Sequence, residues 1–381
     1  MPEMNQTDFL ILGAGIAGAS TGYFLAPHAR CVMLERESQP GYHSTGRSAA
    51  QFIASYGPPQ VRALSRASEA FFKQPPAGFA EAPLLMPRGL LTVAGPDEMH
   101  HLDEAWAVLK DVSPRGRRLT AAEALAMVPA LRPDEVSAAI YEPDSFDMDV
   151  HAIHQGYLRG FKRAGGELVA DAQVVSIERA GDLWQVRTAA GAAYAAQVLI
   201  NAAGAWCDAV AGMAGVAPIG LVPKRRTAFT FASPAGTDTA DWPLLLAADE
   251  SFYMKPDAGA LLASPVNEDA THPQDVQPEE LDVALGLDAI ETWTTLQPRP
   301  THTWAGLRSF VADGELVGGF DAHAPGFFWC AAQGGYGIQT STAMGEACAA
   351  LALRRPLPDD LVRHGVSADA LSPLRLQGVA G

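Results

Sequence analysis

The residues with the clearest chemistry lie near the start of the chain, in the pattern G-x-G-x-x-G. Gly13, Gly15 and Gly18 follow a short apolar run and open an apolar helical segment, and a second apolar run, 31–34, ends at Glu35. In a strand–turn–helix–strand unit these glycines allow a tight turn, close approach of the backbone to a pyrophosphate, and packing of helix on strand. The carboxylate, 20 residues beyond Gly15, suits the hydroxyls of an adenosine ribose and repels a 2′-phosphate. The pattern therefore predicts a dinucleotide site that disfavours NADP.

The segment 42–50 follows this unit directly and suits the remainder of a long cofactor. It is small, rich in hydroxyl groups and contains glycine, as a stretch of chain that wraps a ligand needs to be. The alternative is an ordinary loop leading to a helix at 60–72. At this point the sequence leaves NAD and FAD both open.

Two arginines in the second half of the chain are candidates for binding a carboxylate. Arg308 lies in an otherwise apolar segment, where an unpaired guanidinium would be costly, and its planar fork matches a carboxylate. Strand alternation places Arg226 on the same face as Lys224 and puts Arg225 on the other face, so only one of the adjacent arginines enters a pocket. A structural salt bridge is the alternative for each.

Composition excludes several classes of protein. The chain has 27 Lys+Arg against 43 Asp+Glu, a formal charge of −16, which opposes binding to a nucleic-acid backbone. With 48% hydrophobic and 18% charged residues it is not intrinsically disordered. The four cysteines lack zinc or C-x-x-C spacing, and the first residues lack the pattern of a signal peptide or membrane span. We therefore expect a cytoplasmic protein without disulfides and without an integral membrane segment.

Other groups of polar residues are assigned structural roles. We expect no metal site and no serine-hydrolase nucleophile, since metal-ligand companions and a G-x-S-x-G turn are missing from the sequence. The histidines are expected on solvated helix faces, and the acidic residues as helix caps and surface charge. These residues are His100, His101, His151, His154, Asp144, Asp147 and Asp149.

The remaining pattern predicts two interleaved parts. A buried strand at 198–200 precedes a run of small residues, and strand-like alternation fills 221–264 with a turn at 255–259. A strand at 327–332 leads into the glycine-rich stretch 333–337, which is predicted to open a long apolar helix. This second strand–glycine–helix unit returns the chain to its first domain.

Taken together, these stretches resemble the FAD-dependent D-amino-acid oxidase/dehydrogenase superfamily, and within it most of all the bacterial D-arginine dehydrogenases. The resemblance extends from residue 8 to about residue 350. The segments that carry it include GAGIAGASTGY at 13–23, GYHSTGRSAA at 41–50, NAAGAWCDA at 201–209, HTWAGLRSFVADG at 302–314 and AAQGGYGIQTS at 331–341.

The resemblance implies an α/β fold, α+β overall, with a Rossmann-like FAD-binding domain and an interleaved substrate domain on a mixed β-sheet. The FAD domain would be discontinuous, at 1–85, 150–218 and 305–381, and the substrate domain would take 86–149 and 219–304. It also implies non-covalent FAD and oxidative deamination of a D-amino acid by hydride transfer from Cα to flavin N5. The imino acid would hydrolyse to a 2-oxo acid and ammonia, and the electrons would pass to a quinone or dye, or to O2, with a dehydrogenase favoured.

The same resemblance assigns roles to individual residues. Arg308 and Arg226 would bind the substrate carboxylate, with Tyr253 donating its hydroxyl and Tyr56 acting in a lid. The helix opening at Gly337 would direct its N-terminus at the flavin N1/O2 region, where negative charge gathers on reduction. No side-chain base is required, because the lone pair of the deprotonated amine drives hydride departure. The cofactor would be held by Gly13, Gly15, Ile16, Ala17, Gly18, Glu35, Arg36, Ser44, Thr45, Ser48, Ala49, Ala50, Val174, Ala203, Gly204, Trp206, Gly306, Arg308, Gly334, Gly335, Gly337, Ile338 and Gln339.

The substrate pocket departs from that of the D-arginine dehydrogenases. Leu90 stands where they have a glutamate that meets the guanidinium, and Gln51 and Ile53 replace a histidine and a threonine. Leu244 and Leu246 replace a methionine and a valine. A cationic side chain would lose hydration here without gaining a partner, so we expect a preference for apolar side chains. The predicted pocket consists of Gln51, Ile53, Leu90, Leu244, Leu246 and Gly335.

Three alternatives remain open at this stage. A D-arginine-type dehydrogenase of broad specificity would tolerate these changes, and a sarcosine- or glycine-type secondary-amine oxidase would need a smaller pocket. A flavin-dependent RNA-modification protein is disfavoured by the net charge of −16.

Overall fold

The computed structural model describes residues 4–376 and builds them around two large β-sheets and one small one. The first sheet has eight strands, and its centre is parallel in the order β9-β2-β1-β12-β20. The side chains of β2 are buried throughout, as expected for a strand covered on both faces. The strands are β1 (Met4–Leu12), β2 (Cys31–Leu34), β9 (Glu167–Val169), β10 (Val174–Ala180), β11 (Leu183–Thr188), β12 (Ala193–Asn201), β19 (Val317–Phe320) and β20 (Phe327–Ala331).

The second sheet has nine strands and is mixed, because β5 and β14 run parallel while their other neighbours are antiparallel. Its strand order is β18-β13-β16-β15-β14-β5-β7-β6, and β17 pairs with the start of β13. The strands are β5 (Leu90–Ala94), β6 (Arg117–Thr120), β7 (Ala138–Glu142), β13 (Val222–Ala232), β14 (Leu244–Ala247), β15 (Tyr253–Asp257), β16 (Ala260–Ser264), β17 (Asp269–Ala270) and β18 (Pro300–Phe310).

A small third sheet lies beside the second and is tied to it by buried charges. Asp147 accepts hydrogen bonds from Lys255 Nζ and Arg88 Nε, both at 2.7 Å, and Lys255 is only 5% exposed. This sheet consists of β3 (Gln51–Phe52), β4 (Leu85–Pro87) and β8 (Phe146–Met148), in the order β3-β8-β4.

The helices cover the faces of the two large sheets. Helix α1 packs closely on α8, and a Cβ added at Gly345 would lie 2.7 Å from Ser20 of α1. The helices are α1 (Ile16–Leu25), α2 (Pro59–Lys73), α3 (Met99–Val112), α4 (Ala121–Met127), α5 (Val150–Arg163), α6 (Cys207–Met213), α7 (Glu280–Trp293), α8 (Ser341–Ala352), α9 (Asp359–Arg363) and α10 (Ala368–Leu371), with 3-10 turns at Gly204–Trp206 and Pro373–Leu376.

The structure confirms the predicted fold class and corrects several local predictions. The helix predicted to open at Gly337 begins at Ser341, because the glycine-rich segment before it forms successive turns. His154 is 4% exposed rather than solvated, and its Nε2 lies 2.7 Å from the carbonyl oxygen of Ala14. The predicted domain boundaries stay a prediction, and the one at residue 305 falls within β18, which pairs with β13 between Pro300 and Phe310.

Two of the acidic residues behave differently from one another. Asp149 is the expected helix cap, since its carboxylate accepts a hydrogen bond from Ala152 N–H at 2.8 Å. Asp147, expected on the surface, instead lies between two cations and joins two sheets. Asp144 pairs with the exposed Arg115.

Two kinds of feature are absent from the described residues. Across residues 4–376, no helix combines the length and apolar character needed to cross a membrane. In the same range no three His, Cys, Asp or Glu side chains cluster as metal ligands would.

The glycine turn yields a test of the fold. A Cβ added at Gly18 would lie 1.9 Å from the carbonyl oxygen of Gly13, so Gly18→Ala should destabilise the protein by at least about 2 kcal/mol. Gly212 in α6 has open space around its Cβ position, so Gly212→Ala should change stability by no more than about 1 kcal/mol. Urea denaturation of the two variants measures the difference, and equal effects would contradict the close packing.

Candidate active site

A long cleft opens at the carboxyl ends of the parallel strands in the first sheet. Strands β1, β2, β12 and β20 all end at this edge, and the residues that follow them line the cleft. Ligands of open α/β sheets bind at this edge, where the strand order reverses on either side of β1.

Glu35 is held in place at the end of β2 by backbone groups. Its Oε2 accepts a hydrogen bond from Ala14 N–H at 2.9 Å, and its Oε1 accepts one from Glu37 N–H at 3.0 Å. The side chain is 7% exposed and lines the cleft. A carboxylate fixed in this way keeps lone pairs for the hydroxyls of a ribose, as the sequence predicts.

The N-terminus of α1 faces the same cleft. Its N-cap is Gly15, which has no side chain to satisfy the first N–H groups, and the N–H of Ile16 donates to Thr45 Oγ1 at 3.0 Å. A Cβ at Gly15 would lie 3.3 Å from the same hydroxyl, so glycine keeps this approach open. Free N–H groups and the helix dipole make such an end suitable for a pyrophosphate.

An aromatic group forms one wall of the cleft. The indole of Trp206 lies between the guanidinium of Arg36, 4.7 Å from the ring centre, and the ring of His43, 4.8 Å away. His43 Nε2 pairs with Glu37 at 2.9 Å, while its buried Nδ1 finds no protein partner within residues 4–376. An unpaired buried ring nitrogen is costly unless a ligand contacts it.

The structure places nearly all of the predicted cofactor residues along one continuous path. From the cleft it runs past Ser44 and Thr45, and then past Ser48 and Arg308 into the next cavity. Gly18 lies off this path and serves packing instead. Gln339 lines the path, but its amide group is engaged with the backbone of Ile53 and with Ser65.

These residues fit FAD. The cleft offers an oriented carboxylate, a helix N-terminus and a ring nitrogen without a partner among the described residues, and the path leads onward to the next cavity. The role of His43 could not be predicted, because nothing in the sequence shows that its Nδ1 is buried.

The path ends in a cavity of about 430 Å³ on the second sheet. It brings together every predicted catalytic and pocket residue. These are Gln51, Ile53, Tyr56, Leu90, Arg226, Leu244, Leu246, Tyr253, Arg308 and Gly335.

Arg308 projects from β18 into the region between the path and the cavity. Among residues 4–376 no carboxylate lies within ion-pair distance of its guanidinium, and its polar neighbours are the hydroxyls of Tyr56 and Tyr253. Gly335 makes room for it, because a Cβ there would lie 2.8 Å from Arg308 Nη1. A guanidinium without a fixed anion is a ready site for a carboxylate.

Arg226 comes from the neighbouring strand β13 and is 7% exposed. It donates to the carbonyl oxygen of Asn267 at 2.8 Å and to Glu268 at 2.9 Å. Burial and the positive charge of Arg308 lower the pKa of Arg226, which means that the two guanidinium groups repel each other. As the alternation predicts, Arg225 points to the other face and pairs with Asp282.

The walls of the cavity are two rows of side chains across adjacent strands. Leu90 on β5 stands opposite Leu244 on β14, and Thr92 stands opposite Leu246, which in turn faces Tyr253 on β15. Residues directly opposite one another share a face of the sheet. The register therefore places the predicted apolar positions on the wall that contains the Tyr253 hydroxyl.

One buried carboxyl in this wall was missed by the sequence analysis. Glu142 on β7 stands directly opposite Leu90, is 1% exposed and lines the cavity. Its Oε2 accepts a hydrogen bond from Ser55 at 2.5 Å, but its buried Oε1 has no partner among the described residues. Burial raises the pKa of Glu142 to about 7. The pocket is thus less apolar than predicted.

Gln51 adds a second acceptor. Its Nε2 donates to Ser145 Oγ at 2.6 Å and to the carbonyl oxygen of Gly89 at 3.2 Å. Its buried Oε1 is left without a partner in the part of the chain that the structure describes. The alternation of Ala138, Ile140 and Glu142 along the sequence is the signal that could have revealed a strand with an inward carboxyl.

Most of the chain matches a known protein family. A family model described as DAO, FAD dependent oxidoreductase, matches residues 8–351. L-2-hydroxyglutarate dehydrogenase of Escherichia coli (strain K12) is 28% identical over 222 residues, which make up 55% of this chain and 50% of that protein. The chain thus spans about half the length of this curated relative.

Solved structures show the same fold at low identity. Glycine oxidase from Geobacillus kaustophilus has a TM-score of 0.81 and 21% identity, covering 96% of this chain and 99% of that one. Iminodiacetate oxidase from Chelativorans sp. BNC1 has a TM-score of 0.79 and 22% identity, covering 96% and 98%. The closer likeness to D-arginine dehydrogenases stays a prediction.

The buried carboxyl of Glu142 generates a prediction for stability. Because its pKa is about 7 in the fold against 4.5 in the unfolded chain, ionisation opposes folding, and stability is lost as pH rises from about 5 to 7. Glu142→Gln keeps the shape without the charge. Its advantage over the wild type should grow by about 2–3 kcal/mol between pH 5 and pH 8, as measured by urea denaturation. If the difference in the free energy of unfolding between Glu142→Gln and the wild type does not change with pH, the pKa of Glu142 is not raised by burial.

Proposed function

Because this chain belongs to the DAO family of FAD-dependent oxidoreductases, we propose that it oxidises D-amino acids to imino acids, which water hydrolyses to 2-oxo acids and ammonia. The observation that carries the proposal is the pair of guanidinium groups, the buried Arg226 and the half-buried Arg308, where the predicted cofactor path meets the cavity. The D configuration rests on the resemblance of the sequence motifs, and the substrate class rests on the site.

The protein's own residues first fix the carboxylate of the substrate. Arg308 offers a two-pronged contact, Arg226 adds positive charge, and Tyr253 donates its hydroxyl. Tyr56 packs edge-on against Tyr336, with ring centres 5.1 Å apart, and covers the carboxylate from the side of the loop after β3. Held at this end, the substrate presents its Cα toward the path and its side chain toward the leucines.

The oxidation then requires little acid–base chemistry from side chains. When bound, FAD supplies the acceptor for the hydride that leaves Cα. The substrate amine must have lost its proton, so that its lone pair forms the C=N bond as the hydride leaves. The pocket excludes water through its leucine wall, and the positive arginines favour the carboxylate form of the substrate.

The wall of the pocket supports a preference for apolar side chains over acidic ones. Leu90, Leu244 and Leu246 offer apolar area, at about 0.8 kcal/mol for each buried CH2 of the substrate. Glu142 would repel a second carboxylate at the far end. For this reason a five-carbon diacid such as 2-hydroxyglutarate, the substrate in the name of the E. coli relative, fits this pocket poorly.

A panel of candidate substrates tests the proposal. The protein should carry one FAD that is released on denaturation, and under anaerobic conditions D-Leu, D-Met or D-Phe should bleach its absorbance faster than their L-enantiomers. Glycine, sarcosine and both enantiomers of 2-hydroxyglutarate serve as competitors from the other reaction classes. Faster bleaching by any of these would overturn the proposal. Turnover with O2 and with an artificial dye then assigns the electron acceptor, for which we propose a quinone or dye.

Arg308 gives the sharpest mutational test. Arg308→Ala should raise KM and lower kcat/KM, because a charge-assisted contact with a carboxylate contributes about 1.5–3 kcal/mol or more. Arg308→Lys should recover only part, since an ammonium group cannot reproduce the fork. Arg225→Ala is the matched control, because this arginine pairs with Asp282 on the opposite face. If the wild type oxidises amino-acid amides as fast as free acids, Arg308 does not bind the carboxylate.

A further inference from the structure

We propose that Glu142 and Gln51 form a polar subsite that receives the far end of the substrate side chain and selects an end that carries N–H donors, as an amide, ammonium or guanidinium group does. The inference rests on the proposed function for the position of the substrate carboxylate. It adds a specificity-determining site that the sequence did not reveal.

The strand order puts this subsite at the opposite end of the pocket from the arginines. Across the sheet the lining side chains run from Arg308 on β18 and Arg226 on β13 through Tyr253 on β15 to the leucines of β14 and β5, and then to Glu142 on β7. Four strands separate β13 from β7 in this order. Because the arginines, the leucines and Glu142 all line one cavity, a substrate whose carboxylate contacts the arginines is inferred to direct its side chain along the leucines toward Glu142.

Two residues at this end each carry an unpaired acceptor. Glu142 and Gln51 both line the cavity, and the buried Oε1 of each has no hydrogen-bond partner among residues 4–376. Two side-chain donors beside them bond elsewhere, since Ser55 Oγ donates to Glu142 Oε2 and Gln51 Nε2 donates to Ser145 and Gly89. Two acceptors without a donor recognise a group that brings its own N–H bonds.

A purely structural role does not explain this arrangement. Leu90 and Ile140 flank the strand position of Glu142 on the same face, so an apolar residue there would continue the wall without an orphaned oxygen. A buried acceptor left unpaired destabilises the fold, and a ligand that pairs with it removes that cost. The subsite is thus complete only with a substrate in place.

The other carboxylates on the cavity are different in kind. Glu268 is occupied by Lys224 and Arg226, and Glu250 is exposed to solvent. Glu250→Gln therefore removes a negative charge from the cavity without removing a buried acceptor, which makes it the matched control.

The test compares D-Arg, D-Gln and D-Met as substrates at pH 8.5, since they share a similar stem and differ at the far end. Glu142→Leu should lower kcat/KM for D-Arg and for D-Gln relative to D-Met by about tenfold or more. Glu142→Gln should lower the kcat/KM of D-Arg relative to that of D-Met, but should keep the kcat/KM of D-Gln relative to that of D-Met within about threefold. The reason is that the introduced amide side chain retains an acceptor oxygen but loses the negative charge. Glu250→Gln should leave both ratios within about threefold. Gln51→Leu should act in the same direction as Glu142→Leu and replaces it if that variant fails to fold.

A binding measurement separates this inference from the proposed reaction. The carboxylates 5-guanidinopentanoate and 7-methyloctanoate have the same shape and lack an amine to oxidise, so calorimetric titration reports binding whether or not turnover occurs. The wild-type holoenzyme should bind the guanidino acid with a larger advantage over its isostere than Glu142→Leu does, by about tenfold. If this difference in binding is found but no D-amino acid is oxidised, the subsite is supported and the proposed reaction is overturned. The subsite is overturned if Glu142→Leu changes neither the kcat/KM ratios relative to D-Met nor the affinity ratio of the two carboxylates by more than about twofold from the wild type.

Discussion

The pocket is built around two positive charges, those of Arg308 and Arg226, which repel each other. Among the described residues, the carboxylate that pairs with Arg226 is that of the exposed Glu268. Arg308 and Arg226 come from paired strands, and the charge of one lowers the pKa of the other. Glu268 compensates Arg226, but it also pairs with Lys224. An anion that enters between the arginines would relieve their repulsion, which supports the proposal that this site binds the carboxylate of the substrate.

In the proposed binding mode the carboxylate is held at the arginines, and the strands of the second sheet then determine which side chains contact the rest of the substrate. In the proposed binding mode, side chains from successive strands of the second sheet contact the substrate at increasing distance from its carboxylate. The Tyr253 hydroxyl, the leucines of β14 and β5, and the carboxyl of Glu142 follow in that order. Reaction and selection are thereby separated along one direction, with the chemistry near the arginines and the discrimination among side chains further on.

The parts of this site that could be predicted from sequence are those whose signals are local. Gly13 and Glu35 belong to one short unit with a fixed spacing, and Arg308 stands out because its immediate neighbours are apolar. Glu142 could not be found in this way, because its position depends on pairing with Leu90, far away along the chain. The start of α8 was misplaced for a related reason, since Gly334 and its neighbours make turns that tertiary contacts decide.

The division of labour along the sheet also affects how new specificities arise in such a protein. The residues that grip the carboxylate are contributed by β13, β15 and β18, whereas those around the far end belong to β3, β5 and β7 earlier in the chain. In the proposed binding mode, substitutions around the far end therefore act mainly on the selection of the side chain and not on the contacts with the carboxylate. Substitutions in the strands around Leu90 and Glu142 can therefore change the substrate specificity of such an enzyme while the arginines are kept. A protein engineer can make the same change by replacing one segment of the chain.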